Sequence, residues 1–219
     1  MKIHNLSEKN SILNTFISEI RDIDKQTDSM RFRRNIERIG EVLGYELSKT
    51  LAYKEEEVKT PLGTSKTKLY KDEIVLCSIL RAGVPLHTGL LNYFDSAENA
   101  FISAYRHHLD KPETFDIIVE YLACPSLEGK TLILADPMLA TGQSMVSTFE
   151  ALKPFGKPKK TYLVSVVGAQ DGVEFIQDKF PADTELWIAA IDSELNEYGY
   201  IVPGLGDAGD LAFGQKLQH

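Results

Sequence analysis

The stretch Leu132 to Ser144, LILADPMLATGQS, constrains the fold more than any other part of this 219-residue chain. Leu132, Ile133, Leu134 and Ala135 are consecutive apolar residues and read as a strand buried on both faces. Asp136 ends that strand. Pro137, Met138 and Leu139 lead into Ala140, Thr141, Gly142, Gln143 and Ser144, and Met145, Val146, Phe149 and Leu152 then follow a helical period. A strand, a loop of small and hydroxyl residues and a helix start make an anion site. Unpaired amides and the positive end of the helix dipole face the loop. Thr141 and Ser144 add hydroxyl donors. Asp136 stands just outside the carboxyl end of its strand, where open α/β sheets bind ligands, and suits sugar hydroxyls or a metal. The loop has neither the Walker lysine nor the spaced glycines of a dinucleotide fingerprint. The plain alternative is an ordinary strand-to-helix turn with an acidic tip. A sugar phosphate is the ligand these groups suit.

The rest of the chain frames this unit. Ile12, Leu13, Phe16, Ile17, Ile20 and Ile23 share one helical face. Thr27-Asp28-Ser29 reads as the start of a second helix, with Phe32, Ile36, Ile39, Val42, Leu43, Leu47 and Leu51 as its apolar positions. Glu55 to Tyr70 is polar and turns at Pro61-Leu62-Gly63-Thr64, which predicts a projecting β-hairpin. Strands are expected at Ile74–Leu80, Ala100–Tyr105, Phe115–Glu120, Thr131–Ala135, Tyr162–Val167 and Leu186–Ile191. Helices are expected at Pro85–Tyr93, Gln143–Leu152 and Gly172–Lys179. That alternation implies a mostly parallel sheet with right-handed crossovers. The tail after Ile191 carries Gly199, Pro203, Gly204, Gly206 and Gly209 and reads as a long functional loop.

Four stretches resemble one family. Asp136-Pro137-Met138-Leu139-Ala140-Thr141-Gly142-Gln143-Ser144 resembles the phosphoribosyl pyrophosphate motif of uracil phosphoribosyltransferases. Leu195 to Asp210, LNEYGYIVPGLGDAGD, resembles the same family. Ile79-Leu80-Arg81-Ala82-Gly83 and Tyr105-Arg106 match two further landmarks in the same order. The resemblance runs from Met30 to Lys216 and implies an α/β fold of the type I phosphoribosyltransferase kind: a mostly parallel twisted sheet flanked by helices, a projecting hairpin and a C-terminal base-binding loop. It implies a single domain over 1–219, with N-terminal helices in 9–52, a hairpin arm at 55–70, a core at 73–191 and a uracil-binding hood at 192–216. The implied reaction transfers a phosphoribosyl group from 5-phospho-α-D-ribose 1-diphosphate to uracil, giving UMP and diphosphate in pyrimidine salvage.

By that resemblance the phosphoribosyl donor is held by Arg81, Arg106, the whole run Asp136 to Ser144, and Asp207. Uracil is held by Ile201, Gly206, Asp207 and Ala208, and the catalytic residues are Arg106, Asp136 and Asp207. The implied cofactor is Mg²⁺, held mainly by substrate oxygens, with Asp207 reaching it through water. A cytoplasmic homodimer or higher oligomer is implied, and GTP binding is raised without any residue that specifies it. The residues bear these roles on chemical grounds. Transfer at C1 builds charge on the departing diphosphate, so anion stabilisation and positioning matter more than a strong nucleophile. Arg81 and Arg106 each end a predicted strand, and arginine is the planar donor of choice for phosphate. A glycine-rich loop can meet O2, O4 and N3–H of uracil with backbone groups alone.

Three positions depart from the family pattern. Gln143 stands where glycine is usual, and is harmless only if it is already helical. Val84-Pro85-Leu86-His87 and Leu211-Ala212 also differ from the usual residues. The net charge of −8 argues against a nucleic-acid partner, and no stretch is long and apolar enough for a membrane span. Adjacent His107 and His108 point to opposite faces of an extended chain, so they read as solvated rather than metal-binding. Lys157-Pro158-Lys159-Lys160 reads as a solvated loop. Cys77, within an apolar strand, and Cys124 fit a reducing compartment. Two other readings keep the fold: a non-catalytic sensor of UMP or of the donor, and a transferase for another base. Pro137 after Asp136, where many type I enzymes carry a second carboxylate, favours the uracil branch.

Overall fold

Asp28 shows how local chemistry sets the elements. Its side chain accepts the Arg31 amide at 3.0 Å and caps α2 (Ser29–Ser48), as its N-cap position in the sequence implies. The computed structural model of the chain describes residues 1–108 and 115–217, and the side chains of all of these except 104–108 and 115–120. α1 (Leu13–Arg21) is shorter than the apolar period suggested. Ile12 precedes its first residue and Ile23 follows Asp22, which leaves the helix in an extended conformation; both are exposed.

After the hairpin of β2 (Tyr53–Thr60) and β3 (Gly63–Tyr70), the chain enters the sheet. Its order is β4 (Ile74–Leu80), α3 (Gly83–Leu91), β5 (Glu98–His108), β6 (Phe115–Ala123), β7 (Thr131–Ala135), β8 (Met138–Leu139), α4 (Gln143–Leu152), β9 (Lys160–Ala169), α5 (Gln170–Ile176) and β10 (Glu185–Asp192). The strands lie side by side as β1-β10-β9-β7-β4-β5-β6, where β1 is Lys2–Asn5, and β8 continues alongside β9. All pairs are parallel except β5 with β6. β1 is too short and polar to be read as a strand from its sequence. It pairs with β10, and His4 stacks on Trp187 with ring centroids 3.7 Å apart.

Alternating side chains of the strands feed two cores. Ile74 and Leu76 of β4, with Ile133 of β7, pack against α1, α2 and α3. Val75, Cys77 and Ile79, with Leu132 and Leu134, pack against α4 and α5. Helices therefore cover both faces, which is why these strands read as continuous apolar runs. Cys77 is fully buried, and burial drives its thiol pKa well up; the same effect pushes Cys124 to about 11.

The tail is not one long loop. β11 (Glu194–Leu195) pairs antiparallel with β12 (Ile201–Val202), and α6 (Ala208–Phe213) follows. Six residues are too few to show a helical period, and the flanking glycines mask the helix further. The hairpin is solvent-facing along nearly its whole length, with Leu62 fully exposed at its tip. Among the described residues no helix is long and apolar enough to cross a membrane.

Candidate active site

The strand order reverses between β4 and β7. From β4 the chain moves outward to β5, and from β7 it moves the other way to β9 and β10. In doubly wound sheets the crevice outside such a reversal is where ligands bind. Two of the sequence-predicted residues stand there. Ser78 of β4 pairs with Ala135 of β7, so Arg81 and Asp136 leave neighbouring strands at the same edge of the sheet. The Leu80–Arg81 peptide is cis, as is Val202–Pro203.

The Asp136 carboxylate accepts the Met138 amide at 3.1 Å, and its carbonyl accepts the Ser165 hydroxyl at 2.6 Å. An ionised carboxylate has roughly four acceptor positions, so the Met138 bond is compatible with sugar hydroxyls. The run after it is more structured than a bare loop. Pro137 is buried, and Met138 and Leu139 form β8 against Val167 and Gly168. Leu139 packs into the α4–α5 core, and Met138 and Ala140 pack against the other core. These three residues can offer a ligand their backbone, whereas Leu139's side chain belongs to the interior.

Thr141 to Ser144 forms the turn into α4. Gly142 takes φ +78°, and a Cβ there would come within 2.6 Å of Ile176. No residue other than glycine has positive φ among the described residues, so Gln143 is an unstrained first residue of the helix. The first intrahelical bond of α4 runs from the Val146 amide to the Gly142 carbonyl. The amides of Gln143, Ser144 and Met145 therefore have no partner in the helix ladder and face the loop. The Thr141 hydroxyl meets the Gln143 amide at 3.4 Å. α5 backs this turn closely: a Cβ on Gly172 would lie 2.0 Å from the Ala140 carbonyl oxygen. That support from Gly172 was not read from the sequence; a glycine at the start of an expected helix was its one signal.

The hood closes over the same edge. Ile201, Leu205, Ala208 and Ala212 are buried with α1 and α2, and β12 touches β9. The side chains of Ile201 and Ala208 thus hold the hood down, and only their backbone is available to a base. Gly206, at φ +91°, precedes Asp207. Asp207 caps α6 by accepting the Asp210 amide at 3.0 Å, and its second oxygen lies 3.5 Å from Lys216 Nζ. Asp207 and Gly206 line a cleft of about 320 Å³ with Leu205 and Asp210. A larger cavity, about 760 Å³, lies at the opposite edge of the sheet and includes none of these residues. Lys157, Lys159 and Lys160 line it; Lys157 and Lys159 are exposed, as the sequence suggested, whereas Lys160 opens β9 and pairs with Glu185 at 3.0 Å.

Polar clamps missed in the sequence fix the hood. Arg21 grips Asp192 with two bonds of 2.8 Å and also donates to the Gly204 carbonyl at 3.0 Å. Asp192 accepts the Gly204 amide at 2.9 Å. Arg33 donates to the Ala212 carbonyl at 2.5 Å. The legible signal was Asp192 itself, an acid ending a strand as Asp136 does. Arg81 reaches across to α6, where Nη2 lies 2.9 Å from Asp210 Oδ1 and 3.3 Å from the Gly214 carbonyl. The structure therefore joins Arg81 to the hood. Arg106 has its backbone in β5 opposite Ile117, and its side chain lies outside the described ones, as do those of His107 and His108. Among the described residues no three His, Cys, Asp or Glu side chains converge on a metal position.

Comparisons with known proteins agree with this arrangement. The family model described as "Uracil phosphoribosyltransferase" matches residues 7–215. A uracil phosphoribosyltransferase of Porphyromonas gingivalis is 50% identical over 99% of this chain and all of its own length. One from Pyrococcus furiosus is 40% identical over 92% of this chain and 86% of its own length. The solved structure of the AQ2163 protein from Aquifex aeolicus superposes with a TM-score of 0.85 at 31% identity, covering 99% of this chain and 100% of that one. Matched by that family model over most of its length and 40–50% identical to these two enzymes, the chain belongs to the uracil phosphoribosyltransferase family.

Proposed function

We propose that the protein catalyses transfer of the phosphoribosyl group of 5-phospho-α-D-ribose 1-diphosphate to uracil, releasing diphosphate and UMP. The observation that carries this reading is the contact between Arg81 and α6, which sets an anion-binding arginine beside the base hood at the sheet's ligand edge. The α4 amides with Thr141 and Ser144 take the 5′-phosphate. Asp136 takes ribose hydroxyls, and Arg81 and Arg106 take the diphosphate. The base lies against the backbone of Ile201 and of Gly206 to Ala208. Its N3–H is donated to a backbone carbonyl and its oxygens accept backbone amides. The bond from C1 to diphosphate oxygen breaks as the bond from C1 to N1 of uracil forms, the N1 proton passing to solvent, and Arg81 and Arg106 stabilise the charge that leaves.

Asp207 lines the cleft and Asp136 ends its strand at the same sheet edge, so each would supply at most one carboxylate to a magnesium ion held chiefly by substrate oxygens. When bound, Mg²⁺ offsets charge on the diphosphate. Asp207 would hold it from the hood through water. The hairpin, with few apolar residues to hold it, packs against a second subunit, and sedimentation showing only monomer at micromolar concentration would count against that. The enzyme acts in the cytoplasm.

The deciding experiment is a purified-protein assay with Mg²⁺, the donor and each nucleobase in turn. Uracil should turn over. Cytosine lacks the N3 proton and presents an amine in place of O4, which leaves buried backbone groups unpaired; it should be poorer by about 10⁴-fold. Comparable turnover of the two bases would refute readout by the backbone. Asp136→Asn should cut turnover far more than it lowers stability.

A further inference from the structure

Gly204 stands between the two stretches of backbone assigned to the base, Ile201 on one side and Gly206 to Ala208 on the other. One ion pair takes both of its backbone groups. The Gly204 amide donates to Asp192 Oδ2 at 2.9 Å, and the Gly204 carbonyl accepts from Arg21 Nη1 at 3.0 Å. Arg21 Nη1 also donates to that same Asp192 oxygen at 2.8 Å, which closes a ring of three bonds. Arg21 Nη2 holds the other Asp192 oxygen at 2.8 Å, so the guanidinium meets the carboxylate as an end-on fork. The turn has no slack. Gly204 lies at φ +56°, and a Cβ there would come within 2.0 Å of the Ile201 carbonyl oxygen.

The clamp is anchored in rigid elements. Arg21 is the last residue of α1, whose Leu13, Ile17 and Ile20 are buried, and Asp192 is the last residue of β10. The Asp192 side chain is 9% exposed and that of Arg21 21%, so the pair escapes much of the solvent screening that weakens surface pairs. Arg21 also reaches the cleft by its main chain. Its carbonyl accepts from Gln26 Nε2 at 3.1 Å, and Gln26 lines the cleft with Leu205, Gly206 and Asp207. The turn assigned to the 5′-phosphate is backed by Gly172 of α5 and shares none of these bonds.

We propose that Arg21 is a positioning residue for base recognition: through Asp192 and Gly204 it sets the spacing between the backbone of Ile201 and that of Gly206 to Ala208, and with it the preference for uracil over cytosine. This rests on the uracil reading given above. Hydrogen bonds weaken steeply outside a narrow range of length and angle. A turn free to shift therefore reads uracil less well, whereas cytosine, whose pattern mismatches the backbone in either case, loses little.

The test uses full-length Arg21→Lys. Lysine keeps a positive charge, but one ammonium replaces the fork and cannot hold both Asp192 oxygens and the Gly204 carbonyl together. The quantity read is the ratio of kcat/KM for uracil to that for cytosine, which does not depend on how much of the protein is folded. It should fall about tenfold, the scale of one hydrogen bond to a charged group. The fall should come from a higher KM for uracil at little-changed kcat, with binding of the donor alone, read by calorimetry, as in the unaltered protein. Asp192→Asn should act in the same direction, and joined to Arg21→Lys it should cost less than the product of the two effects, because both break one ring of bonds. Arg21→Gln serves as a second variant should the lysine form lose its fold. An unchanged ratio would overturn the proposal. So would donor binding that falls as far as uracil use, the mark of a merely structural role, or effects of the two substitutions that simply multiply. Equal use of the two bases by the unaltered protein would overturn the proposal together with readout by the backbone. Binding of UMP without turnover would overturn the proposed reaction alone, and the role of Arg21 would then be read as a loss of UMP affinity. Failure of the unaltered protein to bind UMP or the donor would overturn both.

Discussion

The two loops at the sheet's ligand edge differ in what is added to packing. The turn from Asp136 to Ser144 is fixed by packing: Leu139 is in the core, Gly142 lies against Ile176, and Ala140 lies against Gly172. The hood is packed too, by Ile201, Leu205, Ala208 and Ala212, but it is clamped besides by charge, through Arg21 with Asp192, Arg33 with the Ala212 carbonyl and Arg81 with Asp210. Close packing is short-ranged and tolerates almost no displacement, whereas ion pairs act over longer distances and can re-form. A 5′-phosphate is common to substrate and product and suits the rigid turn. A base must enter and a nucleotide must leave, which suits the charged hood.

The sharpest way to break that contrast is Gly172→Ala. The added methyl meets a backbone carbonyl at 2.0 Å, with no side chain to give way. We expect a loss of about 2–4 kcal/mol on urea unfolding, from overpacking. A loss below 1 kcal/mol would show the turn to be less rigid than its packing implies. Next is Asp192→Ala, which strips Arg21 and the Gly204 amide of their shared acceptor. Its cost should be about 1–3 kcal/mol, and the KM for uracil should rise more than the KM for the donor. Equal rises in both would mean that the clamp serves the whole site.

A milder test needs no substitution. In about 0.5 M salt, amide exchange over 208–216 should quicken relative to that of β8 and α4, because screening weakens the partly exposed Arg81–Asp210 pair and leaves packing intact. The smallest effect is in pH. His87, in α3, is buried with Nε2 2.7 Å from Asn99 Oδ1; burial lowers its pKa and the Asn99 bond offsets only part of that. The unfolded state, titrating near 6.5, then binds the extra proton first, so the packed region should lose stability as pH falls below about 6.5. Glu19, which joins α1 to α2 beneath the hood, is held at about 2 by hydrogen bonds from Arg31 and Asn35. Its contribution is complete above about 4.5 and fades only as pH drops toward its folded value. Thermal melts from pH 8 to 3 should show the His87 loss first; the reverse order would contradict this assignment.

The same contrast decides what could be read from sequence. Strands Ile74–Leu80 and Thr131–Ala135 and helix Gln143–Leu152 were legible to the residue, because burial on both faces and a bounded turn leave few alternatives. Gln143, a departure from family wording, proved to be an ordinary helical residue. The hood was legible as wording and opaque as structure. Its helix is one and a half turns long, and its anchors Arg21 and Arg33 lie about 180 residues away in the chain, where nothing local marks them as partners. β1 was missed for a related reason, since a four-residue polar strand exists only by virtue of the neighbour it pairs with.

The two thiols have a practical consequence. Cys77 is fully enclosed and Cys124 is held at about 11, so near neutral pH neither is a ready nucleophile toward maleimides. A cysteine placed at Leu62, fully exposed at the tip of the arm, would carry a dye alone, with both native cysteines left in place. Such a protein would report by energy transfer or by quenching when the arm meets another molecule, in real time and under turnover.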